Sequence, residues 1–142
     1  MTQPSPEDRR VLDFLFEQGQ LKRIPRSGWF RAGIDEPESV ADHTLRAAQL
    51  AYILAEMEGH PDPARVCAMV VFHEIGETRV GDVDRIAKRY VQRAEEAAAK
   101  DQLEALGSIG EGIFELWRAV EEKHTPGGII AKDADKLEAA LT

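Results

Sequence analysis

Val66-Cys67-Ala68-Met69-Val70-Val71-Phe72-His73-Glu74-Ile75-Gly76-Glu77 is the stretch that decides the fold. Seven apolar residues in a row leave no polar side for water, so a helix built on them belongs at the centre of a core. Asp62-Pro63 supplies a cap and a first turn, and Gly81 a break. The spacing therefore predicts a helix from Pro63 to about Thr78. Its last turns carry His73, Glu74 and Glu77, with Glu77 four residues after His73 and three after Glu74. Ionisable groups are rarely buried unless paired or bound to a cation. Two readings are open here: solvated acids at a helix end, or two carboxylates and an imidazole placed for a divalent metal and a general base.

Helical signals continue on both sides. Ser5-Pro6-Glu7-Asp8 reads as a capped start, with Val11, Leu12, Phe14, Leu15 and Phe16 as the apolar side and Gly19 as the stop. Leu21 to Pro37 holds two prolines and two glycines and reads as a long ordered loop. Ser39, with Asp42 three residues on, starts a helix that runs to about Glu58 before Gly59. Arg85 to Leu106 is Ala- and charge-rich and reads as one long helix, and Gly110 to Lys123 as another. Pro126-Gly127-Gly128 reads as a turn before a last helix, Ile129 to Leu141. No alternating strand pattern and no internal repeat is present. The expectation is an all-α bundle of about six helices, forming a single domain over residues 1–142.

The 142 residues are 43% hydrophobic and 31% charged, enough for one buried core. Lys and Arg number 18 against 26 Asp and Glu, a net charge of −8. That balance speaks against nucleic-acid polymers and anionic membranes as partners, since both need clustered positive charge. Cys67 stands alone, which excludes an intramolecular disulfide and a cysteine-based zinc site. No run approaches the ~18 apolar residues of a membrane span, and the first residues lack the apolar run of a signal peptide. The expected location is the cytoplasm.

His43 shares a helical stripe with Ala47, Leu50 and Leu54, so its ring faces a core. A hydrogen-bonded core imidazole and a metal ligand are both open readings. Asp133 and Asp135 on the last helix are either surface charges or the distant carboxylate that a bundle-core metal site needs to close its ligand set. His60, in a proline-bounded turn, and His124, near a helix end, are expected to face solvent. Trp29 reads either as a core plug or as a stacking platform for a base or sugar.

Taken together, these residues resemble the HD-domain metal-dependent phosphohydrolases, in the branch of the 5′-deoxynucleotidases. The matching elements are Leu21 to Trp29, Glu38-Ser39-Val40-Ala41-Asp42-His43, His73-Glu74-Ile75-Gly76-Glu77, Gly81-Asp82, Leu116-Trp117 and Lys132-Asp133-Ala134-Asp135. The resemblance implies one divalent metal ion (Mn, Co, Mg, Zn or Fe) held by His43, His73, Glu74 and Asp135. It implies Glu77 as the catalytic acid/base, Asp82 as a contact to the substrate sugar and Trp29 as part of the nucleoside pocket. It also implies a homodimer. Arg46, three residues after His43, and Arg26 are the basic residues expected to bind phosphate, with Lys22 and Arg23 nearby.

Three departures stand out. The family's His-Asp pair is His73-Glu74 here, one methylene longer. Gly28 stands where the bacterial deoxynucleotidases have an Arg before the Trp. The family continues past the late-Asp helix, whereas this sequence stops at Thr142. The expected activity is hydrolysis of 5′-(deoxy)nucleoside monophosphates to nucleoside and phosphate. The alternative is a degenerate HD domain that binds metal or nucleotide, or scaffolds a dimer, without monoesterase activity.

Overall fold

The computed structural model describes residues 2–142. Its helices are α1 (Pro6–Gln18), α2 (Gly28–Arg31), α3 (Val40–Met57), α4 (Pro63–Phe72), α5 (Glu77–Val80), α6 (Glu95–Glu104), α7 (Gly107–Glu121) and α8 (Pro126–Leu141). Six of these have ten or more residues. Among the described residues there is no strand, only an isolated antiparallel bridge between Pro25 and Ser39. The all-α class read from the sequence is the class observed. No helix among the described residues is long and apolar enough to cross a membrane.

Five boundaries differ from expectation, three of them for a local reason; one of the others is α7, which spans Gly107–Glu121 where Gly110–Lys123 was expected. The Pro63 helix ends at Phe72 instead of Thr78, and α5 starts separately at Glu77. His73 ends α4: its backbone N–H and its Nδ1 both turn to the Val70 carbonyl, the acceptor that another helical turn would need for the Glu74 N–H. The expected Arg85–Leu106 helix is a short 3₁₀ segment, Ala87–Arg89, followed by α6. Asp84 causes this by accepting from the Ile86 and Ala87 N–H groups at 2.9 and 3.0 Å, a side-chain turn that competes with helix propensity. Inside the expected Leu21–Pro37 loop lie the end of a 3₁₀ turn (Gly19–Lys22) and helix α2. Finally, α8 starts at Pro126, because Thr125 caps it by accepting from the Gly128 N–H at 3.1 Å and Pro126 fills the first turn.

The chain divides into two compact units, Met1–Ser39 with Ile75–Phe114 and Val40–Glu74 with Glu115–Thr142. In the second, α3, α4 and α8 pack on one another. Ala47, Ala51 and Ala55 recur every fourth residue on α3, and Ala131 and Ala134 line α8, so small side chains let these helices approach closely. Val66, Met69 and Val70 of α4 fill the space between, with Val120 and Ile130. Val66 and Val70 are fully buried, worth about 1.5–3 kcal/mol each.

The first unit is held by polar clamps. A capping box joins Ser5 and Asp8 at the start of α1. Glu17 accepts from Arg79 (2.6 and 3.0 Å), Thr78 (3.1 Å) and Gln102 (3.0 Å). The Arg79 bonds hold its carboxyl down at about 2. Gln102 also donates to the Ile75 carbonyl at 3.0 Å, fixing the chain just before α5.

Gly128 has no room for a side chain: a Cβ there would collide with the Glu122 and Ala119 carbonyl oxygens. Gly128→Ala is therefore expected to destabilise by about 2–3 kcal/mol in urea denaturation. Gly112→Ala, which meets nothing within 4 Å on α7, should instead be neutral or stabilising by up to about 1 kcal/mol. Equal stabilities of the two variants would contradict this packing.

Candidate metal centre

Three helices of one unit bring the donors together. His43 lies in the first turns of α3, and its ring is completely buried. His73 and Glu74 occupy the turn that ends α4. Asp135 comes from α8, whose buried stripe is Gly127, Ile130, Ala131, Ala134 and Glu138. Asp133 falls on the exposed side of the same helix. One ligand atom from each of His43, His73, Glu74 and Asp135 lies within 4.8 Å of the others. His43 Nε2 is 2.7 Å from Asp135 Oδ1, and His73 Nε2 is 3.3 Å from the same oxygen and 2.9 Å from Glu74 Oε1. Glu74, one methylene longer than the family's Asp, thus reaches this set from a turn, not from within a helix.

Both rings are fixed from behind. His73 Nδ1 meets the Val70 carbonyl oxygen, and His43 Nδ1 meets Glu138 Oε2. Each imidazole therefore turns its Nε2 toward the carboxylates, the tautomer and orientation that metal-bound histidines adopt. Two imidazole nitrogens with carboxylate oxygens form a donor set suited to a divalent first-row ion. The four residues fit such a metal on the direction of their donor atoms.

Without a cation, the charges balance among themselves. Burial opposes charge on His73, but Glu74 and Asp135 outweigh it and raise its pKa well above the ordinary value. Burial likewise opposes ionisation of Asp135, and the bonds from His43 and His73 outweigh it, holding its carboxyl far below the usual range.

The other expected residues lie as follows. Arg46 is bound to Glu138, with Nε and Nη2 at 2.8 and 2.7 Å from Oε1. Arg26 and Asp82 meet each other at 3.5 Å, and Asp82 also accepts from the Ser27 N–H at 2.7 Å and its hydroxyl at 3.2 Å. Trp29 sits half-buried on α2. Glu77 is buried in α5 with Arg93 Nη1 at 3.7 Å, and Arg93 also donates to the Gly81 carbonyl at 3.0 Å. His124 is exposed, as expected. His60 is half-buried, its Nδ1 accepting from the Asp62 N–H at 3.0 Å. The sequence reading missed Glu138. Its spacing of four from Ala134 and three from Asp135 places it on the buried stripe, and that was the available signal.

For His73 Nε2 to serve a metal, its proton must leave. The apparent affinity for Zn²⁺ or Mn²⁺ is therefore expected to rise with pH, by about tenfold per unit for each proton displaced, and to flatten above the folded His73 pKa. Competition against a chromophoric chelator across neutral pH measures this. A pH-independent affinity would contradict the site.

Comparisons with known proteins give the family. The sequence profile of the HD domain matches residues 18–142. A protein of Dictyostelium discoideum named 5′-deoxynucleotidase HDDC2 is 34% identical over 140 residues, covering 92% of this chain and 74% of that protein. Its Xenopus laevis namesake is 32% identical over 141 residues, covering 96% and 69%. Among solved structures, a conserved hypothetical protein from Pyrococcus furiosus superposes with a TM-score of 0.73 at 34% identity, covering 89% of this chain and 76% of that one. With a profile match over most of its length and a third of its residues shared with such relatives, the chain belongs to the HD-domain family.

Proposed function

We propose that this protein is a metal-dependent phosphomonoesterase that hydrolyses 5′-(deoxy)nucleoside monophosphates to nucleoside and phosphate. The observation that carries the reading is the buried set His43, His73, Glu74 and Asp135. Relatives named 5′-deoxynucleotidase support the substrate class. Glu74 lies within the donor set, which speaks against a decayed site. The profile match runs through both compact units, which supports reading the chain as one HD domain.

A divalent ion held by the four donors would supply Lewis-acid stabilisation of the phosphoryl oxygens and of the attacking water. The rest falls to the chain's own side chains. Glu77 takes a proton from the water and returns it to the leaving 5′-oxygen, so a P–O bond forms as the ester P–O bond breaks. Arg26 neutralises the phosphate, whereas Arg46, the other basic residue expected there, is engaged by Glu138. Trp29 stacks on the nucleoside and Asp82 contacts its sugar. These roles rest on the resemblance of the motifs. A homodimer and a cytoplasmic location, where free nucleotides are met, belong to the same proposal. Leu12, Leu15 and Phe16 give α1 an exposed apolar face that a second copy could cover.

Phosphate release from a panel of 5′-deoxy- and 5′-ribonucleoside monophosphates tests the reading, with metal-stripped protein and with added Mn²⁺, Co²⁺, Mg²⁺ or Zn²⁺. Release is expected only with metal, and Glu77→Ala is expected to lower kcat by about 10²–10⁴-fold with the helical signal intact. No release with any of these metals would sink the proposal.

A further inference from the structure

Glu138 is a carboxylate with no exposed surface, at the heart of a helical core. A buried anion is costly unless its oxygens are satisfied, so its partners say what it is for. The two oxygens have separate partners. Oε1 accepts from Arg46 at 2.7–2.8 Å and from the Thr142 hydroxyl at 3.0 Å. Oε2 meets His43 Nδ1. One oxygen is thus anchored, and the other is presented to an imidazole.

A tether between α3 and α8 needs only the Arg46–Glu138 pair. The bond to His43 adds something that a tether does not require. With its Nδ1 proton directed at Glu138, the ring turns Nε2 toward Asp135 Oδ1, 2.7 Å away. His73 is oriented in the same sense by the neutral Val70 carbonyl. The two imidazoles are therefore not equivalent: a carboxylate acceptor makes its ring the stronger electron donor.

We propose that Glu138 is a positioning residue for the metal centre. It fixes the tautomer and orientation of His43 and strengthens its Nε2 as a ligand, with Arg46 and Thr142 holding the carboxylate in place. The proposal rests on the reading of His43, His73, Glu74 and Asp135 as a metal site.

Metal affinity tests it without reference to catalysis. Full-length metal-stripped protein is titrated with Zn²⁺ and Mn²⁺ against a chromophoric chelator, and thermal melting of the metal-free proteins reports folding. Glu138→Ala is expected to bind about 10–100-fold more weakly than wild type. Glu138→Gln keeps an acceptor at the same reach and is expected to recover part of that loss. Glu138→Asp keeps the charge but withdraws it from the ring; it is expected to lose affinity too, and it serves should the Ala variant not fold. In the Zn²⁺-loaded wild type, imidazole ¹⁵N spectra are expected to show the His43 proton on Nδ1. Wild-type affinity in folded Glu138→Ala or Glu138→Asp would overturn the positioning role alone. A wild-type protein that binds neither metal would overturn the metal-site reading, and this proposal with it.

Discussion

Charged groups taken out of water must satisfy one another, and the unit built on α3, α4 and α8 is organised around that constraint. Two imidazoles and three carboxylates meet where the alanines of α3 and α8 let the helices close up. Each ring is bonded on both nitrogens, and Glu138 is additionally locked by Arg46. Each carboxylate there is met by an imidazole, and Glu138 by Arg46 as well. In a core of aliphatic side chains, such an arrangement is stable when a cation or bound protons complete it. Metal binding and the integrity of this core are thus one physical problem.

The two ends of α4 illustrate how local chemistry shapes that centre. Asp62 caps the helix start through the Arg65 N–H, an ordinary device. The other end stops early because His73 takes the Val70 carbonyl, and the same contact aims the ring. Helix termination and ligand orientation are a single event there. The clamps in the other unit work by similar short-range chemistry. Asp82 gathers Arg26 and Ser27, and Asp84 gathers Arg31 and the backbone of Ile86 and Ala87.

Much of this was legible in the sequence, for reasons that can be named. The apolar run Val66–Phe72 announced a central helix, and the stripe through His43 and Ala47 announced an inward imidazole. Caps such as Ser5 and Asp62 are local and act as expected. What escaped the reading depends on side chains that compete with the helix. Asp84 diverts the Arg85–Leu106 segment into a short 3₁₀ turn, and His73 cuts α4 short, although propensity favours continuation in both places. Glu138 escaped because a carboxylate in a helix is ordinarily solvated, and only its partners on α3 reveal why it is buried.

The central claim is that His43, His73, Glu74 and Asp135 hold one divalent cation. Anomalous diffraction from crystals grown with Zn²⁺ tests it most directly. The account predicts a single strong peak within bonding distance, about 2.0–2.2 Å, of Nε2 of both histidines and of carboxylate oxygens of Glu74 and Asp135. A peak elsewhere, or a site that stays empty at saturating metal, would contradict it.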